Sequence, residues 1–202
     1  MRRYRTGVTT ILLARHGETD WNSERRWQGH ADQPLNDVGR GQARELAESL
    51  ADRTIDVVYS SDLVRAHETA LIAAERLGLP VEVDAGLREV DVGDWSGRVH
   101  TELEDLDPEG YRRWQEGGKG WSGGETYEEM GERVVAAVLN IAERHTGETV
   151  LIVTHGGSIR ACRATAAGLD YAASRVQTIG SMANCEVAEL HVAEGRLAGA
   201  AG

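Results

Sequence analysis

Short apolar runs alternate with longer amphipathic patterns along this chain, and that alternation is what most restricts its fold. The runs Ile11–Ala14 and Val150–Val153 are apolar at every position, which is typical of strands buried on both faces of a parallel sheet. Strands are predicted at Val8–Ala14, Asp56–Ser60, Val81–Val83, Val150–Thr154 and Cys185–Val192. Strands separated by helical patterns predict a layered α/β fold with a largely parallel sheet.

Three amphipathic helices are predicted between these strands. The first covers Asp37–Leu50, with Asn36 as its N-cap. The second begins at position 61 or 62 and ends before a Gly-Leu-Pro sequence, which stops helices. The third begins with a capping box formed by Thr126 and Glu129.

Length and composition narrow the class of protein. With 202 residues and no linker or repeat, residues 1–202 are predicted to form one domain, and 91–124 a lid-like excursion without a long element. The net charge of −11 argues against partners such as nucleic acid or an anionic membrane. No apolar run approaches the roughly 18 residues of a membrane span. Cys162 and Cys185 lack CxxC spacing, which predicts reduced thiols in a cytoplasmic protein.

Two predicted strands end in a histidine followed by glycine, His16-Gly17 and His155-Gly156. Ligands of open α/β sheets bind beyond the carboxyl ends of the strands, so these histidines are expected at one site. Arg15 precedes the first pair, and Arg65 falls in the first turn of the second helix, whose N-terminus favours anions. Arginine binds phosphate and repels a metal ion, so the set predicts a phosphate site and no metal.

Four sequence blocks resemble, in order, the motifs of the histidine phosphatase superfamily, the phosphoglycerate-mutase-like proteins. The blocks are Arg15–Asn22 with Gln28-Gly29, Ser60–Ala70, Leu87–Gly97 and Thr154–Gly157. The resemblance is to the short bacterial phosphatases of that superfamily. It implies a three-layer α/β fold, with a mostly parallel central sheet flanked by helices.

The resemblance also implies a role for each matching residue. His16 would be the nucleophile, with its Nδ1 proton held by the Gly17 carbonyl and its pKa lowered by the flanking arginines. Glu89 would protonate the leaving oxygen and then activate water. The implied catalytic set is His16, Glu89, Arg15, Arg65 and His155. The implied phosphate- and substrate-binding set is Asn22, Gln28, Gly29 and Gly156.

The favoured interpretation is a metal-independent phosphomonoesterase that acts through phosphohistidine on a small phosphorylated metabolite, without a cofactor. A 2,3-bisphosphoglycerate-dependent phosphoglycerate mutase is the alternative: the segment 101–107 is acidic, but Arg112 and Arg113 follow it. A protein that only binds phosphorylated partners is a third reading. Homodimers are common among such proteins, so a homodimer is one candidate assembly.

Several residues near the motifs have two readings. Gly120–Gly124 matches the G-x-S-x-G motif of serine hydrolases, but no strand precedes it as the nucleophile elbow requires. His30 and Asp32 are candidates for the pocket entrance. The tryptophans of the excursion either wall the pocket or pack the excursion; they are Trp95, Trp114 and Trp121. The acidic segment 101–107 predicts a preference for monophosphates of low charge.

Overall fold

A computed structural model of the chain describes residues 7–171 and 179–199. A mixed sheet of six strands runs through its centre in the order β3-β2-β4-β1-β5-β6. The strands are β1 (Thr9–Arg15), β2 (Val57–Ser60), β3 (Val81–Val83), β4 (Thr149–Thr154), β5 (Val187–Ala193) and β6 (Arg196–Gly199). The four strands from β3 to β1 pair in parallel, whereas β5 pairs antiparallel with both β1 and β6.

Helices cover both faces of this sheet. They are α1 (Asp20–Ser23), α2 (Asp37–Ser49), α3 (Val64–Leu77), α4 (Leu103–Leu106), α5 (Pro108–Gln115), α6 (Tyr127–Arg144) and α7 (Gly156–Ala166). Ile11 and Leu13 of β1 pack in one apolar cluster with α6 and α7. Leu12 and Ala14 point to the other face and pack with α2 and α3. Because neighbouring side chains of a strand face opposite sides of the sheet, β1 is buried on both faces. The predicted three-layer α/β fold is therefore confirmed.

The predicted strands are all present, with ends displaced by at most two residues. β6 was not predicted, although its signal is in the sequence. Glu194 and Gly195 join β5 to β6 with φ angles of 50° and 71°. Positive φ at both positions is the geometry of a tight hairpin turn, and Gly in the second position is its usual sequence mark.

The helix starts follow the predicted caps. Asn36 accepts the N–H of Gly39 at the start of α2, and both hydrogen bonds of the Thr126–Glu129 capping box are present at α6. α3 begins at Val64, two or three residues later than predicted. α7 was not predicted. The segment 91–124 contains no long helix, since its longest, α5, has eight residues.

A cluster of indole rings fixes the segment 91–124 against the rest of the protein. Trp95 and Trp121 are each 2% exposed and pack on each other and on Trp27, and Trp95 also packs on Trp114, with ring centroids 5.4 to 6.4 Å apart. The indole N–H of Trp95 donates to Asp107, the N-cap of α5. The packing interpretation is therefore right for Trp95 and Trp121. Within the described residues, no helix is long and apolar enough to cross a membrane.

Candidate active site

A cavity of about 310 Å³ lies at the carboxyl ends of β1 and β4. Arg15 pairs with Thr154 in the register of these strands, so His16 and His155 leave the sheet side by side. Of the nine predicted site residues, those that line the cavity are Arg15, His16, Asn22, Gln28, Gly29, Arg65, Glu89 and Gly156. His155 does not line it: the ring lies behind that of His16, with centroids 5.2 Å apart, and is fully buried.

His16 is held by hydrogen bonds to its backbone and to one ring nitrogen. Nδ1 donates to the Gly17 carbonyl at 2.7 Å, as predicted. The carbonyl of His16 accepts from Asn184, a contact that no sequence signal indicated. Burial lowers the pKa of His16 well below 6.5, and the charges of Arg65 and Arg15 lower it further. The imidazole is therefore neutral near pH 7, and Nε2 is the nitrogen with a lone pair for attack.

Two buried arginines flank this ring. Arg15 donates from Nη1 to the Met182 carbonyl at 2.6 Å. Arg65 is 1% exposed and donates from its two Nη atoms to the carbonyls of Ala31 and Gly29, each at 2.8 Å. The buried Nε of each arginine has no hydrogen-bond partner in the described chain. Buried donors are nearly always paired, so these N–H groups are suited to an oxyanion in the cavity.

The His155 ring is held in place by a hydrogen bond to Ser61. Its Nε2 lies 2.9 Å from Ser61 Oγ, which also accepts the N–H of Leu63. This hydrogen bond fixes the orientation of the imidazole. The other ring nitrogen, Nδ1, is buried and has no hydrogen-bond partner among the described residues. The sequence analysis assigned Ser61 no role.

Glu89 is fixed at the edge of the cavity by backbone donors. Its Oε1 accepts the N–H of Val90, and its Oε2 accepts the N–H of Gly157, each at 3.0 Å. A Cβ on Gly157 would lie 2.3 Å from Oε1, so this close approach requires glycine. The carbonyl of Glu89 accepts from His30 and from Arg133. His30 therefore supports Glu89 through its backbone and is not itself among the residues that line the cavity.

Two amide side chains extend the set of donors. The side-chain oxygen of Asn22 accepts the backbone N–H of Thr19 at 3.1 Å, and that of Gln28 accepts the Thr19 hydroxyl at 3.0 Å. Because these oxygens face Thr19, the amide nitrogens remain as donors for a ligand in the cavity. Gly29, at φ 50°, brings its carbonyl to Arg65.

The N-terminus of α3 was predicted to favour an anion at the site, but in the structure it has a different partner. The N–H of Val64 donates to Asp32 Oδ1 at 2.7 Å, so this helix start already has an anionic partner. Asp32, like His30, is not among the residues that line the cavity. The helix start that does reach the cavity belongs to α7, through Gly156 and Gly157.

The segment 91–124 contributes little to the cavity. Trp114 and His100 line it, so the wall interpretation is right for Trp114 alone among the three tryptophans of the excursion. None of the acidic residues in 101–107 lines the cavity. The predicted preference for monophosphates of low charge assumed that these residues face the substrate, so it finds no support in the cavity lining. Arg112 pairs with Glu116, and Arg113 donates to the carbonyls of Lys119 and Gly120. The arginines of the mutase alternative thus lie outside the cavity.

The remaining alternatives also find no support in the geometry. Ser122 is exposed and lies in an irregular segment, with no strand directly before it and no helix directly after it. In residues 7–171 and 179–199, no group of three or more His, Cys, Asp or Glu side chains is arranged to hold a metal ion.

The buried histidines make a prediction about stability against pH. The pKa values of His16 and His155 are both lowered well below 6.5, first by burial. Below pH 6.5 the unfolded chain binds a proton at each imidazole and the folded protein does not. The free energy of unfolding should therefore fall as the pH falls from 6.5 toward the lowered pKa values, by about 1.4 kcal/mol per pH unit for each imidazole.

Urea unfolding between pH 5 and 7, in buffer without phosphate, measures this slope. His16→Asn removes one of the two imidazoles and should reduce the slope by about 1.4 kcal/mol per pH unit. An equal slope in the wild type and in His16→Asn would contradict a depressed pKa at His16.

Comparisons of the sequence and the structure with known proteins identify the family of this chain. The sequence profile of the histidine phosphatase superfamily (branch 1) matches residues 11–200. Phosphoglycerate mutase-like protein 4 of Arabidopsis thaliana is 44% identical over 155 residues, which are 74% of this chain and 67% of that protein. Metal-independent phosphoserine phosphatase of the same plant is 41% identical over 159 residues, 76% of this chain and 67% of that protein.

A solved structure agrees with these relatives. The native mycobacterial glucosyl-3-phosphoglycerate phosphatase superposes with a TM-score of 0.81 at 34% identity, covering 91% of this chain and 90% of that one. The predicted family and the predicted class of enzyme, a phosphatase, are thereby confirmed, and a mutase is less well supported. This chain belongs to the histidine phosphatase superfamily, in its branch 1.

Proposed function

We propose that this protein hydrolyses small phosphomonoesters by two successive phosphoryl transfers, through a phosphohistidine at His16. In the first transfer, Nε2 of His16 forms a bond to phosphorus while the ester P–O bond breaks, and Glu89 gives its proton to the leaving oxygen. In the second, Glu89 takes a proton from water as the water oxygen bonds to phosphorus and the P–N bond breaks. Inorganic phosphate then leaves, and His16 is free again.

The observation that carries this proposal is the state of His16. The ring is neutral, its Nδ1 proton is held by Gly17, and it lies between the guanidinium groups of Arg15 and Arg65. Phosphoryl transfer depends mainly on positioning and on positive charge around the equatorial oxygens. Arg15 and Arg65 supply such donors from positions held by backbone carbonyls, which limits the reorganisation needed in the transition state. His155, whose ring packs against that of His16, is proposed as a third donor.

The cavity volume suits a small metabolite. At about 310 Å³ it lies at the lower end of ligand pockets, so phosphorylated acids and sugars of a few carbons are the substrates we propose. Phosphoserine, for which one relative is named, falls in this range, whereas glucosyl-3-phosphoglycerate, for which another is named, carries an additional hexose. A cytoplasmic location is part of the proposal and agrees with two unpaired cysteines, Cys162 and Cys185.

The first test is hydrolysis with and without a metal chelator. Phosphate release from p-nitrophenyl phosphate is expected to be unchanged by excess EDTA, because arginines and not a metal ion would stabilise the transferred group. With 3-phosphoglycerate, the expected product is glycerate with free phosphate, whether or not 2,3-bisphosphoglycerate is added. Product analysis by ³¹P NMR follows both outcomes at once.

The same assay can overturn the proposal in two ways. Isomerisation of 3-phosphoglycerate to 2-phosphoglycerate that depends on added bisphosphoglycerate would make the protein a mutase. Phosphate release that EDTA abolishes and a divalent metal restores would contradict the proposed stabilisation by arginine.

A further inference from the structure

The cavity extends from the phosphate end to Arg160, a cationic residue that the proposed steps do not use. Arg160 is partly buried and lies on α7, four residues after Gly156. Residues four apart share one face of a helix and are about 6 Å apart along its axis. Arg160 therefore belongs to the wall of the cavity that begins at the start of α7.

The partners of Arg160 set it apart from the other arginines of the cavity. Arg15 and Arg65 donate to backbone carbonyls. Arg26 pairs with Glu24 and donates to a backbone carbonyl as well. Arg160 forms neither an ion pair nor a hydrogen bond with residues 7–171 or 179–199. Its charge is therefore not balanced by any group that the structure describes.

The other charged side chains that line the cavity do not neutralise the guanidinium of Arg160, which is therefore available to bind a ligand. Glu89 is the only acidic residue among the described residues that line the cavity, and backbone N–H groups hold both of its oxygens. The acidic segment 101–107 lies outside the cavity. A planar guanidinium in a recessed wall, without a carboxylate of its own, is suited to bind an anionic group of the substrate.

We propose that Arg160 binds a carboxylate of the substrate, so that the substrate is a phosphorylated hydroxy acid or amino acid; this rests on the proposed phosphatase function. One guanidinium balances the single charge of a carboxylate, whereas a second phosphoryl group would bring about 1.5 to 2 negative charges. The single helical turn between Gly156 and Arg160 suits a carboxylate that is separated from the phosphate ester by two or three carbons.

The test compares 3-phosphoglycerate with glycerol 3-phosphate, which has a hydroxymethyl group in place of the carboxylate. The wild type is expected to favour 3-phosphoglycerate by about 10- to 100-fold in kcat/KM, mainly through KM. Arg160→Gln should bring this ratio close to one. Arg160→Lys keeps the charge without the planar donor fork and should give an intermediate ratio.

The matched control is Arg112→Gln, which removes the same charge from α5, outside the cavity. This variant should keep the wild-type ratio. If thermal melting shows that Arg160→Gln does not fold, the neutral variant Arg160→Met takes its place.

Each outcome decides one of the two proposals. A wild-type ratio near one, or an unchanged ratio in a folded neutral variant of Arg160, overturns the carboxylate site while p-nitrophenyl phosphate is still hydrolysed. Failure of the wild type to hydrolyse any phosphomonoester, including p-nitrophenyl phosphate, overturns the phosphatase function itself.

Discussion

His16→Ala is expected to lose phosphatase activity by about 10⁵- to 10⁶-fold and to form no phosphoenzyme, because removal of a nucleophile leaves only binding and electrostatic stabilisation. Among the residues that the structure describes, no second imidazole lines the cavity beside His16 except His100, which stacks on Trp27. His155 is tied through Nε2 to Ser61. The measurement is steady-state hydrolysis of p-nitrophenyl phosphate, together with trapping of ³²P-labelled protein. The trap is quenched in alkali, in which phosphohistidine survives.

The matched control for this variant is His67→Ala. His67 lies on α3, close to Arg65 in sequence, but outside the cavity. It should keep both turnover and labelling. Labelled protein from His16→Ala would show that another group takes the phosphoryl, and equal losses in the two variants would point to general damage to the fold.

The fold was largely predictable because its signals are local. β1 and β4 are continuous apolar runs, and only burial on both faces makes such runs favourable. The caps at Asn36 and Thr126 are equally local, since each satisfies a backbone N–H only three residues later. α7 was missed because it begins with Gly156 and Gly157, which are poor helix formers, and because its first turn is held by a hydrogen bond to the distant Glu89.

The site residues that belong to the sequence motifs were predictable, whereas the residues that orient them were not. Ser61 holds the ring of His155 across 94 positions, and Arg133 on α6 reaches the carbonyl of Glu89 across 44. Such contacts depend on how the helices pack against the sheet. The local sequence pattern does not indicate that an arginine on a helix will hydrogen-bond to the backbone of a loop. Arg160 was overlooked for the same reason: its place in the cavity follows from the direction of α7.

Removal of the Glu89 carboxyl should slow turnover in proportion to how poor the leaving group is. Glu89→Gln keeps the size and most of the hydrogen-bonding capacity of the side chain but has no proton to transfer. Hydrolysis of alkyl phosphates, whose leaving alkoxide needs protonation, should fall by on the order of 10²–10⁴-fold. Aryl phosphates such as p-nitrophenyl phosphate need less help from an acid and should lose much less in the first transfer.

The measurement is a plot of log kcat/KM against leaving-group pKa, for the wild type and for Glu89→Gln. A steeper negative slope in the variant is expected, because the leaving oxygen carries more charge when no acid protonates it. Glu104→Gln, in an exposed helix outside the cavity, serves as the control that removes a carboxylate elsewhere. The two oxygens of Glu89 accept from Val90 and Gly157, so the amide could also disturb that wall of the cavity. A parallel loss across all leaving groups would indicate this structural effect and would remove Glu89 from general-acid catalysis.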